Sequence, residues 1–412
     1  MKLTDEEKRM GEGNQGTVVM KFMKLLISIG EAFDAPRMLP TISVHVTSVS
    51  LATLMKGGKH IVEEITDSGS RLKAFTTINP LATDFTQWDE LGIPEEEASE
   101  QLKIEDSLRE IGAILCNTCT PYLVGHVPMF GQNIAWGEAS AVIYANSVLG
   151  ARTNPEGGPS GLASALTGRT PEYGLHLDLN RLGEFVVRVQ TELKEPTEYG
   201  ALAFFTGAAQ KKLIPVLAGI PAMATCDDLK MFSASLHGQS SAKIFHAIGL
   251  TPEAKTEEQA LGGRKPVDVI NFGNKELEAT LQTMTSYTKQ DVSWVVVGCP
   301  HCSITEIREV VRVLNGRKVH SNVALWICTS RPVKTLADHM GFTEAIEKCG
   351  GRIVCDTCPI LSTKRTLENL GFRSITTNST VMAVTLPSIL GINAHCGRLY
   401  QCIDAAVSGI WR

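Results

Sequence analysis

Three Cys-x-x-Cys pairs carry the strongest chemical signal in this sequence. The pairs are Cys116/Cys119, Cys299/Cys302 and Cys355/Cys358. Thiolates act as nucleophiles, as redox groups and as ligands for soft metals. The chain holds eleven cysteines in 412 residues. In a reducing compartment, metal ligation or catalysis is a commoner use of cysteine than a disulfide framework. The pairs therefore predict a redox or a metal site.

The residues alone leave four interpretations of these pairs open. Unmodified cysteine is often simply buried, so the pairs could be small residues at tight turns. "CPHC" at 299–302, which opens a predicted helix, is typical of a thiol oxidoreductase. A scaffold that holds zinc would use two short-spaced pairs, but these pairs lie far apart in the sequence. An iron–sulfur enzyme takes thiolates from separate loops and leaves one iron without a cysteine, and cysteines that follow different strands suit this last case best.

The C-terminal third alternates apolar strands with helices. Strands are predicted at 293–300, 322–330 and 350–359, and a helix is predicted after each of them. Ser303 and Glu306 have the spacing of a capping box and open the first of these helices. Near-continuous apolar strands that alternate with helices predict a parallel α/β sheet.

Each of these predicted strands ends at a cysteine. Cys299, Cys328 and Cys355 fall at the carboxyl ends of the three strands. These ends share one edge of a parallel sheet, the edge at which open α/β folds bind their ligands. The third pair, Cys116 and Cys119, also follows an apolar run that resembles a strand. The sequence therefore predicts that several thiols come together in space.

The first half of the chain supplies polar residues rather than cysteines. A helix is predicted over 16–33, and strands are predicted within 41–54 and 71–80. The glycine-rich segment 118–161 carries hydroxyls, amides and an arginine around repeated turn signals, and its part 137–151 predicts a helix that is small and polar on one side. A long irregular segment of this content in a compact domain is more often functional than disordered.

The bulk composition excludes some classes of partner. The chain is 43% hydrophobic and 20% charged, as ordinary globular proteins are, and is long enough for two or three lobes. A net charge of -5 gives no reason to expect nucleic acid or a membrane surface as partner. No apolar run reaches the ~18–20 residues of a membrane-spanning helix. The first residues, "MKLTDEEKRMGEG", are too polar for a secretory signal, so we predict a cytoplasmic protein.

Several stretches together resemble the large subunit of the aconitase X family, a branch of the aconitase superfamily. These are "CTPYLVG", "AVIYANSVLGARTN", "ALTGRTPEYGLHLDLNR", "GLTPEA", "GCPHCS" and "DTCP". The resemblance implies an α/β, aconitase-like fold of stacked α/β/α lobes with mostly parallel sheets. It also implies an iron–sulfur hydro-lyase that dehydrates a small hydroxy acid of the phosphomevalonate or cis-3-hydroxy-L-proline type.

The family also uses a swivelling domain that closes over the site. We expect this domain to be supplied separately from the chain, so the resemblance implies a small subunit as partner. The whole chain, 1–412, corresponds to the large-subunit catalytic region. We expect three approximate lobes, formed by 1–115 with 380–412, by 116–290 and by 291–379. In the superfamily the catalytic base belongs to the swivelling domain, so no base is assigned in this chain.

Carried over position by position, the resemblance makes Cys119 of "CTPY", Cys299 of "GCPH" and Cys358 of "DTCP" the expected ligands of the iron–sulfur cluster. Their neighbours in the three pairs, Cys116, Cys302 and Cys355, are then expected either to be structural or to support the ligands from behind. The family pattern "SAHVSGVS" corresponds to "SVHVTSVS" at 43–50, and "NPAGMD" corresponds to "NPLATD" at 79–84. Glycine is absent from both turns here, so this member is expected to be divergent in its substrate pocket.

Polar residues of the first half are the expected substrate site. Arg152 is the candidate clamp for a carboxylate or phosphate because its planar fork pairs with two oxygens, although a salt bridge within the loop is the alternative. Packing and turn capping are the alternatives for the other residues. The expected catalytic residues are Glu138, Ser140 and Asn146. The expected substrate-binding residues are His45, Ser48, Asn79, Asp84, Ser147, Arg152 and Thr153.

Overall fold

A computed structural model of the chain shows a mixed α/β fold with mostly parallel strands. The structure describes residues 1–412, the side chains of residues 54–58 excepted. Internal contacts divide the chain into two compact units, each built from three separate segments. Unit 1 comprises Met1–Leu81, Glu96–Gly183 and Lys243–Arg264, and unit 2 comprises Ala82–Glu95, Glu184–Ala242 and Lys265–Arg412.

The strands are short and the helices are of ordinary length. The strands are β1 (Met38–Pro40), β2 (Ser43–Val46), β3 (Phe75–Ile78), β4 (Ala135–Trp136), β5 (Arg169–Pro171), β6 (Phe185–Val189), β7 (Pro215–Ala218), β8 (His246–Ala247), β9 (Val269–Phe272), β10 (Trp294–Cys302), β11 (Ala324–Thr329), β12 (Gly351–Val354), β13 (Ser374–Thr377) and β14 (Asn393–Cys396). The helices are α1 (Asp5–Gly11), α2 (Thr17–Ala32), α3 (Leu51–Asp67), α4 (Glu95–Glu110), α5 (Ala139–Tyr144), α6 (Gly158–Thr167), α7 (Pro196–Ala209), α8 (Cys226–Gln239), α9 (Glu257–Ala260), α10 (Asn274–Thr283), α11 (Ile304–Leu314), α12 (Arg331–His339), α13 (Phe342–Cys349), α14 (Lys364–Leu370), α15 (Thr380–Leu390) and α16 (Leu399–Ser408).

Unit 1 is built on a parallel three-stranded sheet in the order β3-β2-β4. His45 of β2 lies opposite Thr77 of β3 on one side and opposite Trp136 of β4 on the other. The helix predicted over 16–33 is confirmed as α2, whose apolar face is buried. The strand predicted within 41–54 is confirmed as β2. It ends at Val46, because the backbone turns left-handed two residues later and α3 begins at once.

Unit 2 is built on a parallel five-stranded sheet in the order β12-β11-β10-β13-β14, which confirms the parallel sheet predicted for the C-terminal third. All nine residues of β10 are buried, as the continuous apolar run indicates. A second parallel arrangement in this unit joins β7, β6 and β9. The helix predicted after β11 is two helices, α12 and α13, which are separated at Gly341 by a left-handed turn with φ of 73°.

The predicted lobe boundaries do not coincide with the two units. Residues 380–412 belong to unit 2, where β14 pairs with β13, and not with residues 1–115. The apolar segments of β13 and β14 complete the sheet of β10, which explains why the chain end joins this unit. No helix among the described residues is long and apolar enough to cross a membrane.

Candidate active site

The "GCPHCS" segment forms the carboxyl end of β10 and the turn into α11. Gly298 has φ of 107°, and a Cβ added to it would lie 2.2 Å from the carbonyl oxygen of Cys328. Only glycine therefore allows the backbone of β11 to approach this closely. Ser303 caps α11 by accepting a hydrogen bond from the backbone N–H of Glu306, which confirms the predicted capping box.

A buried lysine anchors this turn within unit 2. The ammonium of Lys230 donates to the carbonyl oxygen of His301 at 3.0 Å, pairs with Glu306 and lies 3.3 Å from Asp227. Burial works against its charge, but the two carboxylates outweigh burial and raise the pKa of Lys230. Ser303 also donates to Asp227 at 2.7 Å. The cysteine turn is therefore fixed by a charged network that the sequence analysis missed, because α8 is remote in sequence.

His301 joins two of the predicted cysteine corners directly. Its Nε2 lies 2.8 Å from the carbonyl oxygen of Thr357, the residue before Cys358. The side chain is completely buried, and burial lowers the pKa of His301 to about 4. The ring is neutral at physiological pH, so Nε2 carries the proton that the carbonyl accepts. Unit 2 thus ties the turn of Cys299 to the turn of Cys358.

Asp84, a predicted substrate ligand, lies inside unit 2 and holds the "DTCP" turn. Its carboxylate accepts from the backbone N–H of Cys355 at 2.8 Å, from Gln87 at 2.6 Å and from Arg331 at 2.9 Å. Arg331 also pairs with Asp356. Burial works to raise the pKa of Asp84, but these hydrogen bonds lower it on balance. With no exposed surface, this carboxylate positions a cysteine turn rather than facing solvent.

The "CTPY" turn belongs to unit 1. The thiol of Cys116 lies 3.6 Å from the carbonyl oxygen of Ile78, and burial raises the pKa of Cys116 to about 11. Asn117 adopts a left-handed backbone with φ of 43°, which turns the chain between the two cysteines. Tyr122 stacks on Tyr144 with ring centroids 3.8 Å apart, so the turn is packed against the end of α5.

In each Cys-x-x-Cys pair, the cysteine expected to bind the cluster is the more exposed of the two. The exposed fractions are 9% and 5% for Cys119 and Cys116, 7% and 1% for Cys299 and Cys302, and Cys358 is partly exposed where Cys355 is fully buried. No disulfide is present in the part of the chain that the structure describes. Cysteine thiolates have the donor chemistry of an iron–sulfur site. Across the same described residues, however, no three His, Cys, Asp or Glu side chains form a preformed metal site.

Glu138 is the predicted catalytic residue that is best placed to meet a substrate. It precedes α5, and its Oε1 accepts from the backbone N–H of Ser140 at 3.2 Å and from the hydroxyl of Ser140 at 3.0 Å. Its Oε2 accepts from the amide of Asn79 at 3.2 Å. Glu138 and Asn79 are partly exposed, whereas Ser140 is buried. Three of the predicted site residues therefore come together in unit 1.

Asn146, Ser147 and Thr153 form a buried junction instead. Asn146 lies in a π-helical turn, Ala145–Leu149, and its amide bonds the backbone of Thr153 and of Lys243 at 2.9–3.0 Å. Ser147 accepts from the backbone N–H of Phe245 at 2.8 Å. π-Helical turns often occur at functional sites, and here the turn lets a single amide bridge two separate segments. These contacts give the three residues positioning roles.

Arg152 and a second arginine have different surroundings. Arg152 donates to the carbonyl oxygen of His176 at 3.0 Å and pairs with Asp178, whose side chain is 80% exposed. Arg181, which the sequence analysis missed, is buried. It donates through Nε and Nη2 to Glu253, and it also donates to the backbone and side-chain oxygens of Asn146. Only Arg152 has an outward-facing edge. Of the other predicted substrate ligands, Ser48 is partly exposed and His45 is fully buried.

The sequence matches the three domains of one family, in order. Residues 1–179 match the aconitase X first domain, residues 183–282 the second and residues 292–408 the third. The crystal structure of Thermococcus kodakaraensis aconitase X in its holo form is similar to this chain with a TM-score of 0.89 and 32% identity, and the match covers 98% of this chain and 100% of that one.

Relatives in two groups are similar along almost the whole chain. The phosphomevalonate dehydratase large subunit of Methanocaldococcus jannaschii is 36% identical over 94% of this chain and 96% of the relative. That of Methanothermobacter thermautotrophicus is 37% identical over 94% of both. The cis-3-hydroxy-L-proline dehydratase of Hypocrea jecorina is 30% identical over 99% of this chain and 69% of the relative.

These similarities decide between the interpretations of the cysteine pairs. Both groups of relatives are dehydratases, which makes this chain a dehydratase large subunit and hence a hydro-lyase, and does not favour a thiol oxidoreductase or a zinc scaffold. Identity of 30–37% over nearly the full length, with a matching fold, is too extensive to arise from shared architecture alone. The chain belongs to the aconitase X family.

Proposed function

We propose that this chain dehydrates phosphomevalonate as the large subunit of a two-subunit enzyme. The observation that carries the choice of substrate is the pattern of identity among the relatives. The chain is 32–37% identical to phosphomevalonate dehydratase large subunits and 30–31% identical to cis-3-hydroxy-L-proline dehydratases. The words "large subunit" in the first group of names support a small subunit as partner.

The proposed cofactor is an iron–sulfur cluster held by the thiolates of Cys119, Cys299 and Cys358. Two observations support this choice. Each is the more exposed cysteine of its pair, and the hydrogen bond from His301 to the carbonyl of Thr357 fixes two of the three turns to each other. When bound, an iron without a cysteine ligand supplies a Lewis acid for the leaving hydroxyl. The residues of the chain then have to orient the substrate around it.

Glu138 and Arg152 are the proposed substrate contacts of the chain. Glu138 presents a partly exposed carboxylate whose orientation is set by Ser140 and Asn79, so it can orient the substrate by accepting a hydrogen bond from a substrate hydroxyl group. Arg152 already binds a carboxylate, that of Asp178, with its outward edge. A substrate carboxylate or phosphate can take the place of Asp178 because guanidinium pairs with both groups.

The activity test uses the assembled enzyme. The chain is reconstituted anaerobically with iron, sulfide and the candidate small subunit, and dehydration of phosphomevalonate and of cis-3-hydroxy-L-proline is measured separately. We expect a brown, iron-containing protein that turns over phosphomevalonate. Turnover of cis-3-hydroxy-L-proline alone would show that this compound, and not phosphomevalonate, is the substrate. The absence of both iron and turnover would contradict the proposal.

Cysteine variants test the proposed ligands with a matched control. Cys358→Ser is expected to abolish turnover and to reduce the iron content, because serine does not supply the soft thiolate that the cluster requires. Cys226→Ser changes an exposed cysteine that belongs to no pair, so iron content and activity should be unchanged. Cys355→Ser, at the buried partner of Cys358, should retain iron, and equal loss of iron in both variants would contradict the choice within the pair.

Arg152 can be tested through its internal carboxylate. Asp178→Asn removes the group that competes with a substrate anion, so it should lower KM while leaving kcat unchanged. Arg152→Lys loses the bidentate fork and should raise KM on the order of tenfold or more. Unchanged KM in both variants would assign Arg152 to loop packing, the alternative considered from the sequence.

A further inference from the structure

A continuous chain of buried hydrogen bonds crosses the sheet of unit 1. Trp136 Nε1 donates to the hydroxyl of Ser43 at 3.0 Å, and that hydroxyl lies 2.7 Å from Nε2 of His126. Nδ1 of His126 lies 2.7 Å from the hydroxyl of Thr77, which in turn lies 2.8 Å from Nδ1 of His45. All five side chains are buried. The chain arises from strand pairing, because His45 faces both Thr77 and Trp136 in the sheet.

Asn79 lies between this hydrogen-bond chain and the predicted catalytic carboxylate. Nε2 of His45 and Oδ1 of Asn79 are buried, and neither has a hydrogen-bond partner of standard geometry within the described residues. Burial lowers the pKa of His45 to about 3, and hydrogen bonding to Asn79 is the contribution that opposes it. The amide of Asn79 donates to Glu138 and to the hydroxyl of Thr47, each at 3.2 Å. The two unsatisfied atoms have complementary capacity, so a hydrogen bond from Nε2 of His45 to Oδ1 of Asn79 would satisfy both.

The donors and acceptors of these side chains allow only one direction of proton donation along this hydrogen-bond chain. Trp136 can only donate, so Ser43 accepts from it and donates its own proton to Nε2 of His126. Nδ1 of His126 then carries a proton and donates to Thr77, which donates to Nδ1 of His45. Nε2 of His45 is left with the proton, which the carbonyl oxygen of Asn79 can accept. In the opposite direction, Ser43 would face two donors and would have no acceptor for its own proton. Nε2 of His45 and the carbonyl oxygen of Asn79 would also both be acceptors, with no proton to share.

We propose that this chain from Trp136 to Asn79 is a positioning device that holds the carboxylate of Glu138 in one orientation toward the substrate. It is buried at the Trp136 end and ends on a partly exposed carboxylate at the other. Ser140 fixes the first oxygen of that carboxylate, and Asn79 fixes the second. The proposal rests on the proposed function only in that Glu138 acts on substrate. Thr77, His126 and Ser43 thereby become positioning residues for the reaction.

Two substitutions at Thr77 separate hydrogen bonding from packing. Thr77→Val keeps the shape of the side chain and removes the hydroxyl, whereas Thr77→Ser keeps the hydroxyl and removes a methyl group. Thr77→Val should lower kcat on the order of 10- to 100-fold with little change in KM, because misorientation of a catalytic group acts mainly on the chemical step. Thr77→Ser should stay within about threefold of the unchanged protein. A larger loss of kcat in Thr77→Ser than in Thr77→Val would overturn the proposal.

A double-mutant cycle tests whether the effect passes through Glu138. Glu138→Gln removes the carboxylate, so Thr77→Val should have no further effect on kcat in that background. Independent, multiplicative losses would show that Thr77 acts elsewhere and would overturn the proposal. Asn79→Asp provides a second variant outside the sheet core. This variant retains an acceptor for His45 but loses the donor to Glu138, so kcat should fall to the same extent as in Thr77→Val. Unchanged kcat would contradict the proposed hydrogen-bond chain.

A measurement without turnover distinguishes failure of this proposal from failure of the proposed function. Ring-nitrogen NMR of the ¹⁵N-histidine-labelled chain reports which nitrogen of each histidine is protonated. We expect the Nε2–H form for His45 and the Nδ1–H form for His126, with both sets of signals displaced in Thr77→Val and retained in Thr77→Ser. The Nδ1–H form of His45 with the Nε2–H form of His126 would overturn the proposed hydrogen-bond chain, even in an active enzyme. Expected tautomers in a protein that turns over neither substrate would contradict the proposed function alone.

Discussion

Two residues of the chain adopt a backbone conformation that glycine takes more easily. Ser48 has φ of 56° and Ala82 has φ of 69°, both in the left-handed region. They occupy the two positions at which the family pattern noted above has glycine. A side chain in this region is unfavourable by roughly 1–2 kcal/mol because the Cβ approaches the following carbonyl oxygen. The turns have therefore kept their conformation while losing the residue that suits it.

Restoring glycine at these turns should stabilise the protein. Ser48→Gly and Ala82→Gly are each expected to raise the free energy of unfolding by about 0.5–1 kcal/mol, the relief of strain less the added entropy of the unfolded chain. Ala208→Gly, at an exposed helical position in α7, is the control and should lower it by about 0.5–1 kcal/mol. Urea unfolding measures all three, and destabilisation by every variant would show that strain does not control these turns.

Glu156 provides a test of pH dependence at a single residue. Burial raises the pKa of Glu156 to about 7, against a hydrogen bond from Ser160. The folded state binds the proton of Glu156 more tightly than the unfolded state does. Proton binding therefore stabilises the folded state fully below the unfolded pKa of about 4.3, and this stabilisation is lost as pH rises toward 7. Glu156→Gln should therefore be more stable than the natural chain at pH 8 by on the order of 1–3 kcal/mol, and nearly equal at pH 4.5.

Urea unfolding of the two proteins across this pH range checks the prediction. All other titrating groups are common to both, so the difference between the two curves isolates Glu156. A difference that is independent of pH would mean that the carboxyl is already ionised in the folded protein. A difference that grows toward acid pH would reverse the sign of the argument.

At the scale of elements, His301 links two loops that follow different strands. Its hydrogen bond to the carbonyl of Thr357 is worth about 1–1.5 kcal/mol, so its removal should raise the population of local opening around Cys358 on the order of tenfold. His301→Ala should accordingly speed maleimide labelling of Cys358. His339→Ala, at an exposed helical position, is the control and should leave the rate unchanged. Equal rates in both variants would show that other contacts hold the loop.

The sequence was most informative about elements with strong periodicity. The apolar run of β10 and the capping box at Ser303 were predicted correctly because both signals are local. The helix after β11 was predicted too long, because a single left-handed residue, Gly341, interrupts an otherwise regular hydrophobic pattern. A left-handed backbone at one residue hardly alters a hydrophobic pattern of about ten residues, so the pattern does not predict it.

The polar contacts of the site were harder to predict for a different reason. Glu138, Ser140 and Asn79 do meet, but Asp84 and Asn146 bond internal groups that are far away in sequence. Pattern alone shows that a residue is polar, not which backbone group it satisfies. Lys230, Thr77 and His126 were missed because their partners lie on other elements, and only the tertiary structure reveals those partners.

For the whole molecule, the distribution of thiols makes a simple prediction. Of the eleven cysteines, Cys226 is exposed, Cys358 is partly exposed and the others are buried. A thiol reagent added to the folded, cluster-free chain should therefore label about one group rapidly, and Cys226→Ser should remove that rapid phase. Cys358 should react more slowly in the folded chain, and the buried thiols should react only in guanidinium, because they require unfolding. Several rapid thiols in the folded chain would contradict this burial pattern.

The segmented composition of the two units has a consequence for biosynthesis. Unit 1 is completed by Lys243–Arg264, which brings Glu253 to the buried Arg181 and the carbonyl of Lys243 to Asn146. During translation, the first 183 residues leave the ribosome well before these partners are made. A buried guanidinium without its carboxylate is strongly destabilising. We therefore expect the first 183 residues to complete their folding only after residue 264 has emerged.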